Sequence, residues 1–347
     1  MSINWGILGA GNISGQFVHD LLLSNTESSF KHIVKSIGCS SETKGQSFIE
    51  DCKLTDENNV GVKPSIEKYD DFYKNADINI VYVGTPHVFH YEQVKNCLNN
   101  GKNVLCEKPF TINAKEAKEL FALAKEKDLI LMEAVWSRFL PIMNQLKAKL
   151  KDIGDVRRLF VDFGYDADLD NCEASSRIRN NALGGGALLD IGIYPITYSR
   201  FLLDDKLGKD HSHFTYESMM TVDETDKVDY NTSVVFQYGK IHAICTCSNY
   251  VDNISPFGRV EGSKGKIELF ADNPARLRAF KITYNDGKTE EIKDDSPYLG
   301  FIYEANGIAK DIENHEESKV MPADETLLVM DIMDKIRAKH GLKYPTD

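Results

Sequence analysis

Asp190 and Tyr194 are two side chains able to accept or donate a proton, and they stand four residues apart in the stretch 182–196. There Gly184, Gly185 and Gly186 run straight into an apolar pattern of helical period. On a helix that spacing puts both polar groups on one face. They are then either a satisfied polar pair in a core or half of an active site. A second candidate is Lys108, within Glu107-Lys108-Pro109 at the end of an apolar run. A lysine at a strand end is costly unless it is used or paired; the plain alternative is an exposed Glu107–Lys108 ion pair. The third feature is the turn Gly9-Ala10-Gly11, followed by Asn12, Ile13 and Ser14. Glycines between a strand and a helix let the backbone turn tightly and approach a pyrophosphate, which then rests on the helix N-terminus. A purely structural glycine turn is the competing reading, but this one heads an alternating strand–helix series, the context a dinucleotide fingerprint requires.

The end of the second expected strand bears on which nicotinamide cofactor is used. An NAD site places an acid there for the ribose 2′-hydroxyl, whereas an NADP site offers hydroxyls or cations. Here Ser40 and Ser41 follow Cys39, with Lys44 one helical step beyond and Glu42 as the complication. NADP is expected over NAD; the simpler alternative is that Ser40 and Ser41 cap the next helix. Thr85, Pro86, His87 and His90 form a turn at the fourth strand's end, beside the expected crevice, and are read as packing against the cofactor. No metal site is expected, because the two histidines have no further ligand at suitable spacing. Trp136 and Arg138 follow the last strand of the first domain and either line a substrate pocket or pack the domain junction. Arg177 and Arg179 precede the glycines and are candidate substrate contacts, Arg177 foremost.

These residues need a scaffold, and the hydrophobic pattern supplies one. Apolar runs at 3–8, 33–39, 80–83, 104–106 and 129–132 read as buried parallel strands. Helical patterns at 12–23, 43–51, 91–99 and 114–126 lie between them, and 53–63 reads as a surface loop. Such alternation predicts an α/β domain with a doubly wound parallel Rossmann sheet over residues 1–134. Residues 135–347 are predicted to form an α+β domain with a large open, mostly antiparallel sheet, serving substrate binding and dimerisation. Strands are expected at 156–163, 233–237, 241–248, 259–262, 266–270 and 277–284, and helices at 140–151, 301–313 and 323–339. With 347 residues, 42% of them hydrophobic, two such domains fit the chain. A net charge of −12 argues against a nucleic-acid partner. No apolar run reaches the roughly 18 residues of a membrane span, no basic leader precedes Ile3, and the seven cysteines lack paired spacing. The expectation is a cytoplasmic protein. Alternate residues of 241–248 leave groups on both strand faces that water does not favour, so both sheet faces should be covered, one by the twin sheet of a homodimer.

Gly9-Ala10-Gly11-Asn12-Ile13, the Thr85-Pro86-His87 turn with His90, and Glu107-Lys108-Pro109 resemble the glucose–fructose oxidoreductase and inositol dehydrogenase superfamily. Residues 105–111, 132–139 and 184–195 are similar, more narrowly, to its branch of dihydrodiol dehydrogenase and NADP-dependent D-xylose dehydrogenase. The resemblance covers nearly the whole chain. It implies a Rossmann domain followed by an open-sheet domain, NADP(H), a dimer, and a sugar-like or vicinal-diol substrate. It departs at Ser40 and Ser41, where relatives often carry arginine. It also implies catalytic roles for Lys108, Asp190 and Tyr194. Oxidising an alcohol requires a base for the hydroxyl proton, and an ordinary tyrosine, pKa about 10, is ionised in only about one molecule per thousand at pH 7. A nearby lysine cation favours the phenolate; lowering the pKa by about two takes roughly 2.7 kcal/mol of coupling. Asp190 would orient the substrate or Lys108. A dehydrogenase or reductase acting on an aldose, a trans-dihydrodiol or a dicarbonyl is expected. The alternative is a non-catalytic NADP-binding regulatory protein, which would need neither Lys108 nor Tyr194.

Overall fold

The computed structural model describes residues 2–25 and 30–347. The chain divides into two compact units, Met1–Phe139 with Pro297–Thr326, and Leu140–Ser296 with Leu327–Asp347. This differs from a division after residue 134 mainly in one respect: Pro297–Thr326 returns to the first unit. Its helix has an apolar face but carries no sequence signal of which unit that face will cover.

The first unit contains β1 (Ser2–Leu8), α1 (Asn12–Ser24), β2 (Lys31–Gly38), α2 (Glu42–Asp51), β3 (Ser65–Glu67), α3 (Tyr69–Lys74), β4 (Ile80–Val83), α4 (His90–Asn99), β5 (Asn103–Glu107), α5 (Ala114–Glu126) and β6 (Leu131–Ala134). All six strands are parallel, in the order β3-β2-β1-β4-β5-β6. The order reverses beside β1, and the crevice at such a switch point, outside the strands' carboxyl ends, is where ligands bind in open α/β sheets. The apolar runs are strands because both faces are covered: Ile7, Leu8, Ile80, Val81 and Val83 are fully buried. Asn59, in the loop expected at the surface, is also fully buried, and its amide pairs with the backbone N–H and carbonyl of Val34.

The second unit contains α6 (Pro141–Lys149), β7 (Val156–Gly164), α7 (Ile193–Leu203), β8 (Thr215–Val222), β9 (Asp229–Tyr238), β10 (Ile241–Ser248), β11 (Gly258–Gly262), β12 (Gly265–Phe270), β13 (Ala279–Tyr284) and β14 (Thr289–Lys293). The sheet order is β14-β13-β12-β11-β7-β10-β9-β8, antiparallel except for the β7–β10 pair. Ala243, Cys245 and Cys247 form the buried face of β10, and α7 lies on it: the Cys245 thiol donates to the Pro195 carbonyl. On the other face the Arg158 and Arg259 guanidinium groups both lie against the Phe160 ring. Of the last two helices, α8 (Phe301–Asn314) belongs to the first unit, and α9 (Ala323–His340) passes from the first unit's share into the second's at Thr326.

Candidate active site

In the first unit the glycine turn has the geometry a dinucleotide requires. Gly9 has φ +101°, and a Cβ there would strike the Thr85 methyl at 2.8 Å. A Cβ on Gly11 would meet nothing within 4 Å, so the turn faces open space. Helix α1 follows Gly11, an N-cap residue that makes no side-chain cap hydrogen bond, and the first N–H groups of a helix are the ones that receive an anion. Ser14, at the third fingerprint position, is fully buried; a Cβ on Gly84 would come within 2.3 Å of its hydroxyl. That close helix–strand approach is why both positions must be small. An open groove of about 1000 Å³ runs from Gly11 and Asn12 past Lys44 to Asp51. At the end of β2, Ser41 accepts a hydrogen bond from the Lys44 N–H and caps α2, while the Ser40 and Lys44 side chains are exposed. Glu42 is exposed in the first turn of α2. These residues fit a bound nicotinamide dinucleotide.

The turn that carries Lys108 is tied down from below. His90 is 1% exposed; its Nε2 lies 2.8 Å from the Thr85 carbonyl, and Nδ1 lies 3.1 Å from that of Pro109. Burial holds its pKa below the usual histidine value, against the backbone hydrogen bonds. Its ring nitrogens thus serve the backbone and fix the Thr85 turn to the Lys108-Pro109 turn, which is how it shapes the site. His87 is buried with its ring edge-on to that of His90, and Pro86 is exposed. Glu107 is buried and not one half of an exposed ion pair: Tyr82 donates to its carboxylate at 2.5 Å, and the Lys108 N–H donates at 3.2 Å. Burial raises its pKa, opposed by the Tyr82 hydrogen bond and the Lys108 charge. Lys108 itself is half-buried.

Trp136 and Arg138 are engaged within the first unit. The Trp136 ring stacks on Phe301, centroids 4.6 Å apart, and Arg138 makes a fully buried ion pair with Glu325 at 3.1 Å. The Arg138 guanidinium is 2% exposed.

In the second unit the structure pairs Asp190 with Arg177, and Tyr194 follows one helical turn after Asp190. Leu188–Gly192 is a π-helical turn that leads into α7, and every residue in it is buried. Single π turns inside helices occur frequently at functional sites. Asp190 is 9% exposed and pairs with the half-exposed Arg177 at 2.9 Å. Tyr194 is 4% exposed, its ring 5.6 Å from that of Phe163 at the end of β7. Arg179 does not join them; it forms a fork with Asp226 and bonds the Cys172 carbonyl, holding the preceding loop. Asp229 was not singled out by its sequence position: fully buried on β9, it accepts the Leu188 N–H at 2.9 Å and so caps the π turn. Burial pushes its pKa up to about 6.

Comparison with known proteins bears on both units. Residues 3–135 match the model of the oxidoreductase family with an NAD-binding Rossmann fold, and residues 145–268 match the GFO/IDH/MocA C-terminal domain. The chain is 32% identical to a trans-1,2-dihydrobenzene-1,2-diol dehydrogenase from Xenopus tropicalis, over 99% of this chain and 100% of the relative. It is 28% identical to a D-xylose 1-dehydrogenase (NADP(+)) from Hypocrea jecorina, over 99% and 93%. Among solved structures, a 3-ketoreductase from Actinomadura kijaniata in complex with NADP superposes with a TM-score of 0.80 at 22% identity, over 97% of this chain and 98% of that one. A levoglucosan dehydrogenase in complex with NADH and levoglucosan superposes with a TM-score of 0.80 at 18% identity, over 98% of both. The chain belongs to the GFO/IDH/MocA family of oxidoreductases, with an NAD(P)-binding Rossmann domain.

Proposed function

We propose that this oxidoreductase interconverts a carbohydrate or vicinal-diol hydroxyl and the corresponding carbonyl with NADP(H), Tyr194 handling the hydroxyl proton. The observation that carries this reading is the buried π turn. It holds a carboxylate, Asp190, against the half-exposed Arg177 and leads directly to Tyr194, a costly arrangement for a helix that only packs. In oxidation the Tyr194 oxygen takes the proton from the substrate hydroxyl, and in reduction it returns it. Lys108 is the cation that favours the phenolate. Asp190 and Arg177 hold a neighbouring hydroxyl. When bound, the nicotinamide supplies the two-electron acceptor or donor for the carbinol carbon. A cofactor-sensing protein without turnover would have no use for Lys108 and Tyr194 together.

NADP is favoured because the β2 end offers the Ser40 hydroxyl and the Lys44 ammonium to a 2′-phosphate, while Glu42 is exposed on the first turn of α2. The relative named for NADP(+) supports it, whereas the levoglucosan dehydrogenase of similar fold is in complex with NADH. The reading also includes a cytoplasmic setting, as expected for a chain with reduced thiols, and a homodimer through the open sheet. Val235 and Met219, at 38% and 77% exposure, lie on that sheet. The test is a panel of D-xylose, D-glucose and a trans-dihydrodiol followed by NADPH absorbance. Turnover with one of the three is expected. Absence of turnover with all of them, despite tight NADPH binding, would favour the regulatory alternative.

A further inference from the structure

Gly184, Gly185 and Gly186 have no side chains with which to anchor themselves, so the entry to the π turn is set by bonds to its backbone. Two come from the preceding loop: the Gly185 N–H donates to Asn180 and the Gly186 N–H to Ile178, each to a carbonyl. The fit leaves no room, since a Cβ at Gly185 would lie 2.5 Å from the Ile178 oxygen, and one at Gly186, where φ is +115°, 2.5 Å from an Asp229 oxygen. A third bond comes from far along the chain. After α9 the chain turns at Gly341, φ +74°, and folds back so that the Tyr344 hydroxyl, on a side chain 4% exposed, donates to the Gly185 carbonyl at 2.5 Å. The Asn181 amide fastens the same segment to the loop, donating to the Lys343 carbonyl at 2.9 Å.

Tyr344 is itself held in place. Arg337, 2% exposed, forks onto Asp347 with bonds of 2.6 and 3.1 Å and also reaches Asp334 at 2.6 Å. Asp347 in turn accepts the Tyr344 N–H at 2.9 Å. The Arg337 guanidinium lies 4.9 Å from the Tyr344 ring centroid. An arginine fork of this kind fixes direction as well as position.

We propose that Tyr344, held by Arg337 and Asp347, is a positioning residue that keeps the π register of the active-site turn through the Gly185 carbonyl. The proposal rests on the reading of Asp190 and Tyr194 as the working pair. A π turn holds one residue more than the ordinary helix and is not the default of the backbone. If it relaxed to α, the residues before the slip would rotate by roughly 100° about the axis relative to α7. The loop that carries Arg177 would turn with them, because its neighbour Ile178 is bonded to Gly186, and the Arg177–Asp190 pair would be pulled apart. The loop, the turn and the Tyr344 segment form one unit of register.

Tyr344→Phe tests this, because it keeps the ring against Arg337 and removes only the hydroxyl. Hydrogen–deuterium exchange of the amides at 185–192 should accelerate at least tenfold, with strand 241–248 unchanged. On the substrate the panel selects, turnover should fall about 10- to 100-fold, the scale of a small misplacement of catalytic groups, with the NADPH dissociation constant within twofold. Asp347→Asn should act in the same direction and less strongly. Exchange and turnover both within twofold of the parent would overturn the proposal. So would acceleration spread evenly over the second unit, which marks a residue of general stability. Tyr194→Phe is measured alongside. Normal turnover in that variant, with local exchange still accelerated in Tyr344→Phe, would locate the failure in the active-site reading and remove the catalytic meaning of the turn.

Discussion

Replacing Glu304 by glutamine should stabilise the first unit by an amount that grows with pH. Glu304 lies on α8, fully buried, and neither carboxyl oxygen has a hydrogen-bond partner. Burial, followed by the charges of Glu107 and Asp20, raises its pKa well above 4.5. Above 4.5 the folded chain therefore keeps a proton there that the unfolded chain releases. A folded pKa raised in this way contributes stability that is complete below the unfolded value and is lost as pH rises towards the folded one. For one proton the slope cannot exceed about 1.4 kcal/mol per pH unit. Glutamine has the same shape and no proton to lose. The fixed cost of its amide does not vary with pH, and titration of Glu133, pushed up to about 7 by burial, is common to both proteins. The chain's two tryptophans, Trp5 and Trp136, both lie in the first unit, so urea unfolding followed by their fluorescence reports on that unit. Glu304→Gln minus parent should rise as pH increases above about 4.5, with a slope of at most about 1.4 kcal/mol per unit. Two parallel stability curves would show that Glu304 is not held as a neutral acid.

Ser40→Asp should shift preference towards NAD, because the new carboxylate repels a 2′-phosphate; tighter binding of NAD than of NADP to the unmodified protein would remove the basis for this. Light scattering at micromolar concentration should give a dimer, burying on the order of 1,600 Å² or more in total. A fully active monomer would contradict a sheet-to-sheet interface.

Much of the first unit was readable because its elements are long and punctuated. Helix α5 occupies 114–126 as its period predicts, capped by Asn113, and strand β4 occupies 80–83. Strand β6 lies two residues further along than the apolar run suggests, at Leu131–Ala134. Leu129 and Ile130 extend the run backwards, while the buried Glu133 interrupts it. Three-residue β3 and six-residue α3 are too short to show a period. In the second unit the glycines and the Asp190–Tyr194 spacing marked the helix, but nothing in them distinguishes a π turn from an α turn. The side chains that bond to its backbone there, Asp229 and Tyr344, are distant in sequence and joined to it only by the fold. The same holds for Glu304: its helix was legible, but not that α8 returns to the first unit and carries a carboxyl into its core.

The measurement closest to the central claim is single-turnover NADPH formation by Tyr194→Phe beside the parent, on the substrate chosen by the panel, across the pH range. Loss of the phenolic proton acceptor should lower the rate by about 10²–10⁴-fold and leave NADP binding within twofold. Lys108→Ala should slow the same step and move its optimum to higher pH. A Tyr194→Phe rate near that of the parent would contradict the account, because the proton would then leave by another route.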